Sequence, residues 1–316
     1  MLKYIFKRLL GLIPVIAGST FMVFMIMEMS DIPYIQVALW RDSACYWFGR
    51  EACLFYSCVM CAPEPLWVRY SRYIVRFLMG DFGSSFRWWR GVSINAEIMT
   101  RLPYTLLLSL AALLFSMLLA VPAGIIAAVK RNTWIGKGSM IIALIGISIP
   151  LMWVGMLLIL FFSRHISWIP LSGAAQWSSV ILPGIVLGYA MLSAMMLTAR
   201  SSMLDIMKKD YIRTAQAKGL SGGKIIFKHA LPNIIIPVLT SLKTHLGVYF
   251  TGLIITEYLF SWPGIGRLMM QGIAARDYPM ILACIMIFIF FFALINFVID
   301  IAKAFADPRM RRESLC

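Results

Sequence analysis

Residues 200–232 read RSSMLDIMKKDYIRTAQAKGLSGGKIIFKHALP and form a long polar interruption between apolar segments of this chain. Apolar side chains recur at helical spacing over 203–219, and the glycines of 219–223 predict a turn that ends this helix. A second short basic helix is expected over 224–231, closed by Pro232. A helix, a glycine turn and a short helix between two apolar segments favour docking into a groove of a partner. The alternative is a solvated basic loop whose charge only fixes membrane topology.

The composition of the whole chain is that of a membrane protein. Of its 316 residues, 61% are hydrophobic, and the mean hydropathy of +0.83 is too high for a soluble domain. A net charge of +15 could indicate nucleic-acid binding, but nucleic-acid binders concentrate basic residues on soluble faces. Here the basic residues flank apolar runs. The charge is therefore interpreted as membrane topology, and no nucleic-acid partner is expected.

Several apolar runs are each near or above the roughly 20 residues that a helix needs to cross hydrocarbon. These six candidate spans cover residues 9–29, 103–129, 138–163, 180–199, 233–256 and 279–299. Internal prolines, which membrane helices tolerate as kinks, occur at Pro122, Pro150, Pro183 and Pro237. The predicted organisation is a tail with the first membrane helix (1–29), an extracytoplasmic segment (30–101), a five-helix core containing residues 200–232 (102–305), and a terminal tail (306–316).

Basic residues indicate the orientation of the spans. The amino terminus, residues 130–137, residues 200–232 and the carboxyl terminus hold nearly all the lysines of the chain. An even number of spans places these four regions on the same side of the membrane. That side is cytoplasmic by the positive-inside rule, so both termini are expected in the cytoplasm.

The extracytoplasmic segment contains two distinct features. Residues 65–80 (PLWVRYSRYIVRFLMG) place arginines at spacings of three and four among apolar side chains, which predicts an amphipathic helix at the outer membrane interface. The residues before it include four cysteines: Cys45, Cys53, Cys58 and Cys61. In an oxidising space outside the cytoplasm two disulfides are expected, in any of three pairings. A metal site is the alternative because Cys58-x-x-Cys61 has ligand-like spacing, although no second such pair accompanies it.

Residues 200–232 resemble the coupling loop of permease subunits of ATP-binding-cassette (ABC) importers, whose motif is EAA, three residues, glycine, nine residues and I-x-LP. Gly219 matches the glycine and Ala215 the last alanine, whereas Arg213 and Thr214 replace the glutamate and the first alanine. The wider string DYIRTAQAKGLS, followed by HALPN, is similar to the dipeptide, oligopeptide and nickel subgroup. In that family the loop enters a cleft of a cytoplasmic ATPase. The residues that this resemblance assigns to the loop are Arg213, Thr214, Ala215, Gly219, Leu220, Ser221, His229, Leu231 and Pro232.

Further strings carry the same resemblance. They are residues 81–86 (DFGSSF), 256–267 (TEYLFSWPGIGR), 275–279 (ARDYP) and 307–309 (DPR). From its chemistry, Trp262 is expected to anchor the chain at the membrane interface, and Pro263-Gly264 is expected to form a turn. Residues 32–64 are the main part of the chain that the resemblance does not cover.

The resemblance implies an all-α membrane protein with about six transmembrane helices and the type I ABC importer permease fold, in the inner membrane of a bacterium. The implied partners are a homologous second permease subunit, two cytoplasmic ATPase subunits that bind ATP and magnesium, an extracytoplasmic substrate-binding protein and membrane lipid. Di- or oligopeptides are the implied substrates, with nickel chelates or related small solutes as alternatives. No cofactor and no metal are expected in this chain itself.

Two other classes of function are weighed against this one. An enzyme needs a polar constellation, but the three histidines have no zinc-type spacing. Gly222-Gly223-Lys224 lacks the following Ser or Thr and the first glycine of a phosphate-binding loop, so no enzymatic activity is expected. An ATP-independent channel or secondary transporter is the rival class. Such folds often contain internal repeats, which are not evident here, and a coupling loop would then have no motor.

The fifth span carries polar residues on one helix face. With Glu257 near its outer end, the candidate pathway residues are Thr240, Lys243, Thr244, Gly247, Thr251 and Glu257. Lys243 lies about 15 Å along a helix from Asn233, which predicts a position near the middle of the bilayer. It is expected to contact a substrate carboxylate or a pairing acid, and a structural ion pair with an acid of a partner subunit is the alternative. Glu257 is interpreted either as a gate residue or as a structural hydrogen-bond acceptor.

Overall fold

A computed structural model of the chain describes residues 2–28, 65–85, 92–165 and 170–306. The cysteines predicted to form disulfides, at positions 45, 53, 58 and 61, lie outside these residues, so their pairing stays a prediction. Phe86 and residues 307–309 also lie outside them. Within the described residues the chain is helical, and its one extended pairing is an isolated antiparallel bridge between Ser84 and Ser93.

The helices of the described residues are numbered in chain order. They are α1 (Leu2–Glu28), α2 (Leu66–Leu78), α3 (Ile94–Val129), α4 (Trp134–Ser148), α5 (Leu151–His165), α6 (Ile181–Ile206), α7 (Asp210–Ala217), α8 (Gly222–Lys224), α9 (Leu231–Leu259), α10 (Ile265–Ala275) and α11 (Tyr278–Ala306). A 3-10 turn, Trp177–Val180, precedes α6, and a π-helical turn, Ile225–Ala230, joins α8 to α9.

The predicted spans are helical, and most are longer than the apolar runs. α1, α3, α11 and the continuous helical stretch Gly222–Leu259 are long and apolar enough to cross a membrane. In the part of the chain that the structure describes, these four spans become six if each of two bent helix pairs counts as one span. Helical hydrogen bonding propagates into flanking polar residues at little cost, so α3 begins at Ile94 rather than at Pro103.

The third predicted span is broken. α4 ends at Ser148, α5 begins at Leu151, and the two helices are bent by 104°. Proline lacks an N–H and disfavours helical backbone in the residue before it. Ile149 accordingly has an extended conformation, with φ −87° and ψ 124°. The expectation that Pro150 only kinks a span was wrong, because it separates two helices.

Residues 200–232 differ from the expected helix, turn and helix in two ways. The first helix is divided, since α6 continues to Ile206 and the separate α7 begins at Asp210. Pro232 does not close the second helix, because Gly222–Leu259 continues into the fifth span. A proline ring clashes with the carbonyl four residues earlier, and the wider π-helical turn directly before Pro232 accommodates it.

Contacts group the chain into two compact units. The first comprises residues 1–10, 104–262 and 294–316, and the second comprises residues 11–103 and 263–293. In the first unit α6 packs against α4, α5 and α9, and Leu182, Val186 and Phe260 form a buried cluster. Gly188 of α6 allows α3 to approach closely, in the way that small residues do between membrane helices.

In the second unit, the predicted amphipathic helix is present as α2. Its apolar face buries Tyr73 in a cluster with Phe24, Leu282 and Met286. Burial raises the pKa of the Tyr73 hydroxyl above its ordinary value, because an apolar surrounding disfavours the charged form. The amphipathic pattern of α2 thus packs one side of the helix on other helices of this unit.

Candidate coupling segment and translocation face

The coupling segment, which we define as residues 200–232, folds back on itself. α7 packs against the π-helical turn and buries Ile212 and Ala215. Ile225 and Ala230 are the buried residues of the turn. Because the buried positions of α7 are three residues apart, they lie on one helix face and orient the polar face outward.

Gly219 ends α7 with a Schellman motif. Its backbone is left-handed, with φ +76°. Its N–H donates to the carbonyl of Gln216 with an N–O distance of 2.9 Å, and the N–H of Leu220 donates to the carbonyl of Ala215 at 3.3 Å. A left-handed backbone costs residues with a Cβ about 1–2 kcal/mol. The turn predicted at this glycine is confirmed, and its left-handed backbone favours a residue without a side chain.

The outward face of the coupling segment combines polar groups with aromatic rings. Of the residues that the sequence assigned to it, Ala215 is buried, Leu220, His229 and Leu231 are half-buried, and Arg213, Thr214, Gly219, Ser221 and Pro232 are exposed. Two neighbouring rings are also accessible, Tyr211 with 44% and Phe227 with 71% of its surface exposed. Exposed aromatic side chains beside polar groups are typical of protein interfaces.

Most of the candidate pathway residues share an exposed face of α9, which we call the threonine face. Its members are Thr240, Thr244, Gly247 and Thr251. Each of the three hydroxyls donates to a carbonyl four residues earlier in the same helix. Their hydrogen-bonding needs are met without another helix. The result is a stripe of small, mostly polar side chains along a span that is predominantly apolar.

Lys243 lies beside the threonine face and is paired within its own chain. Its ammonium is 2.7 and 2.8 Å from the two carboxylate oxygens of Asp300 in α11. The guanidinium of Arg8 in α1 is 3.2 Å from the same carboxylate. Lys303, also buried, interacts electrostatically with Asp300. This chain therefore supplies the pairing acid for Lys243, and no acid of a partner subunit is needed.

The same contacts locate Lys243 along the span. Arg8 lies about 9 Å of helix after the start of α1, and Asp300 about 9 Å before the end of α11, so these two helix ends lie close to each other. Lys243 contacts that carboxylate, and about 24 Å of helix separates it from Leu259. The position of Lys243 near the bilayer middle stays a prediction, and the helical stretch that contains it begins at Gly222, well before Asn233.

Glu257 is separate from the threonine face. Its side chain is fully buried, and its Oε1 accepts a hydrogen bond from the hydroxyl of Thr105 at 2.7 Å. Of the two interpretations, this geometry matches the structural acceptor, because a buried carboxylate that receives a hydrogen bond joins α3 to α9. The bond connects two helices of the same unit.

Trp262, expected as a membrane-interface anchor, is instead enclosed by protein. Only 1% of its surface is exposed, and its Nε1–H donates to the carbonyl of Tyr104 at 2.9 Å. The two rings meet edge to face with centroids 6.1 Å apart. A buried indole with a satisfied N–H fixes the chain after α9.

In the second unit the fold brings together two of the motif strings. Asp277, from residues 275–279, is fully buried and accepts a hydrogen bond from the hydroxyl of Ser85 at 2.6 Å. Ser85 belongs to residues 81–86, which are distant in sequence. The two motif strings are thus in direct contact in the fold.

Sequence reasoning missed the partners of these polar residues, Asp300 above all. A signal existed, because an acid within an apolar span is costly and marks a specific partner. The predicted last span ended at residue 299 and left Asp300 out. Within the described residues, no group of three His, Cys, Asp or Glu side chains has the arrangement of a metal site.

Residues 120–312 match the family described as binding-protein-dependent transport system inner membrane component. The chain belongs to this family. The permease is 39% identical, over 313 residues, to the glutathione transport system permease protein GsiC of Salmonella paratyphi A, with 98% of this chain and 99% of that protein covered. GsiC of Escherichia coli K12 is 38% identical over the same length.

A solved structure of the inward-facing MetNI methionine ABC transporter is similar in fold. The TM-score is 0.57 at 16% sequence identity, with 66% of the permease and 96% of that chain covered. Together with the family match, this shows that the permease is a helical inner-membrane component of an ABC importer.

Proposed function

We propose that this permease works with a homologous permease, two cytoplasmic ATPase subunits and an extracytoplasmic binding protein to import di- or oligopeptides, glutathione among them. ATP and magnesium bind to the ATPases, and this chain contributes no catalytic residue. The proposed substrate class rests on the 39% identity, over 98% of the chain, to a permease of a glutathione transport system. Glutathione is itself a tripeptide. Nickel chelates and related small solutes are the alternative substrates.

The coupling segment is the proposed contact with the ATPases. Its exposed polar side chains and the rings of Tyr211 and Phe227 form a surface that suits a protein groove. Because Gly222–Leu259 is one helical stretch, a displacement of the segment moves α9 with it. The segment and both chain ends are then cytoplasmic, in agreement with the positive-inside rule.

The threonine face of α9 is the proposed lining of the translocation pathway. Small side chains leave room for a peptide, and the hydroxyl oxygens, whose protons are donated within α9, can accept hydrogen bonds from its N–H groups. Lys243 lies beside this face with its charge balanced by Asp300. Glu257 supports the pathway wall through Thr105 and does not itself touch the solute.

Purification and reconstitution test this function. The tagged permease is isolated from its native membranes, the chains that co-purify are identified, and the complex is placed in proteoliposomes with a loaded binding protein. We expect a second permease and two ATPases to co-purify, and ATP-dependent uptake of labelled glutathione or a dipeptide. ATP-dependent uptake of a nickel chelate without peptide uptake would contradict the substrate class. Solute flux through the permease alone, without ATP, would instead support a channel or secondary transporter.

A further inference from the structure

The ion cluster around Asp300 joins three separate stretches of the first unit. Asp300 lies in α11, Lys243 in α9 and Arg8 in α1. α9 is also the helix that continues into the coupling segment. Asp300 thus connects the helix that the ATPases would displace to both ends of the chain.

We propose that Asp300 is a positioning residue, which holds Lys243 in one state of the transport cycle and releases it in the other. The inference rests on the coupling role proposed above for residues 200–232. With the ion pair closed, α9 is held against α11. When the coupling segment is displaced, Lys243 leaves Asp300 and α9 moves with the segment. A local element with two discrete arrangements is what a coupled transition between states requires.

The charges around Asp300 allow this release. A buried carboxylate that loses its partner cation is strongly destabilised, which would hold a simple buried ion pair shut. Asp300 is 8% exposed. Its carboxylate has two further cations nearby, with Arg8 at 3.2 Å and Lys303 within electrostatic range. Both remain beside it when Lys243 departs. The carboxylate therefore stays compensated in both states.

Lys243 is equally able to leave. Its side chain is 33% exposed, compared with 11% for the side chain of Asp300. It lies next to Thr244 of the threonine face, which is open to the surroundings in this chain. An ammonium on a flexible four-carbon stem is readily hydrated when it moves outward. The released cation is then positioned beside the proposed pathway.

A distance measurement on the assembled importer tests the release directly. Spin labels are placed on Val248 of α9 and Val298 of α11, which are 62% and 55% exposed. The labelled complex must keep ATP hydrolysis that loaded binding protein stimulates. We expect the label-to-label distance to lengthen by more than about 2 Å between the nucleotide-free state and a state trapped with ATP and vanadate. An unchanged distance in a complex that hydrolyses ATP would overturn the proposal.

Variants of the ion pair test its role in coupling. Asp300→Asn keeps the shape of the side chain but removes its charge. We expect ATP hydrolysis without binding protein to rise about fivefold, the low end of measured coupling effects, and uptake per ATP to fall. Lys243→Met removes the other partner of the ion pair and leaves Asp300 beside Arg8. The double variant with Asp300→Asn is expected to match the single variants, because both remove the same contact, whereas two separate structural losses would add.

The matched control is Glu97→Gln. Glu97 pairs with Arg101 at 2.9 Å in the part of α3 that belongs to the second unit, and it takes no part in the coupling segment or the threonine face. We expect its hydrolysis and uptake to match those of the wild type. An assembled Asp300→Asn complex with wild-type coupling would overturn the proposal.

The two proposals fail in different ways. If no ATPase co-purifies with the wild type, the proposed function fails and the coupling role of Asp300 fails with it. If the wild type imports peptide while the Val248–Val298 distance stays fixed, only the role of Asp300 is lost.

Discussion

The hydroxyl of Thr105 lies 2.7 Å from Oε1 of Glu257, so a buried carboxylate joins α3 to α9. Thr105→Val keeps the shape of the side chain and removes this donor. We expect the free energy of unfolding to fall by about 1–3 kcal/mol, because a hydrogen bond to a buried carboxylate is lost. The measurement is thermal unfolding of the purified importer in detergent.

The control for this change is Ser109→Ala, also in α3. The Ser109 hydroxyl donates to the carbonyl of Leu106 in its own helix and is exposed. We expect its effect to stay within about 0.5 kcal/mol. Equal stability of Thr105→Val and the wild type would mean that Glu257 does not depend on this bond.

A side chain at Gly219 should weaken binding of the ATPases. Gly219→Val introduces a branched residue at φ +76° and disturbs the Schellman motif that ends α7. The left-handed backbone costs valine about 1–2 kcal/mol. If the docking surface must distort to relieve this strain, the affinity of the permease for the ATPase falls roughly tenfold. Titration of the solubilised permease complex with purified ATPase measures this loss.

Gly138→Ala provides the comparison for Gly219. Gly138 lies within α4, and an added Cβ there meets nothing within 4 Å. Alanine favours a helix over glycine, so we expect unchanged ATPase affinity and no loss of stability. If Gly219→Val also bound the ATPases as the wild type does, the turn geometry would not matter for docking.

Two glycines of α6 should respond differently to alanine. A Cβ at Gly188 would lie 2.7 Å from Cδ1 of Phe115 and 2.8 Å from the carbonyl oxygen of Ala112, so α3 and α6 would have to separate. We expect Gly188→Ala to cost about 1–3 kcal/mol of stability. A Cβ at Gly184 would lie 3.8 Å from that of Ala111, an ordinary contact, so Gly184→Ala should be tolerated. Thermal unfolding of both variants, side by side, tests the difference, and equal stability would contradict this packing.

The outer cysteines should be protected from alkylation until they are reduced. The sequence predicts two disulfides among Cys45, Cys53, Cys58 and Cys61. Mass spectrometry of peptides, alkylated before or after reduction, would show four additional modified cysteines only after reduction. Disulfide-linked peptides in the unreduced digest would identify the pairing. Alkylation of all four without reduction would contradict the disulfides, and protection that a chelator abolishes would support a metal site.

Local pattern predicted most of the helices of this fold. The apolar runs predicted the spans, the arginine spacing predicted α2, and the glycines predicted the turn at Gly219. Each depends on residues close in sequence, whose period or backbone preference can be read directly. Element ends were less predictable, because Pro150 separates two helices while Pro232 is accommodated by a π-helical turn.

The candidate site was predictable only in part. The threonine face follows from helical period, and its residues do share an exposed surface. The role of Glu257 did not follow from period, because burial and the contact with Thr105 depend on which helix packs beside α9. The burial of Trp262 did not follow from the sequence either. The chemistry of tryptophan predicts a position at the membrane interface, but it does not reveal that the carbonyl of Tyr104 accepts the indole N–H.

The amino-acid sequence by itself determined that this chain is a membrane protein and which segments are helical. Those properties are set by hydrophobicity, helical period and backbone preference within a few turns of chain. Only the tertiary structure decided that Asp300 pairs with Lys243 and Arg8, and that both chain ends therefore meet the helix of the coupling segment. A buried charge needs a partner wherever packing provides one, and packing joins residues that no local pattern connects.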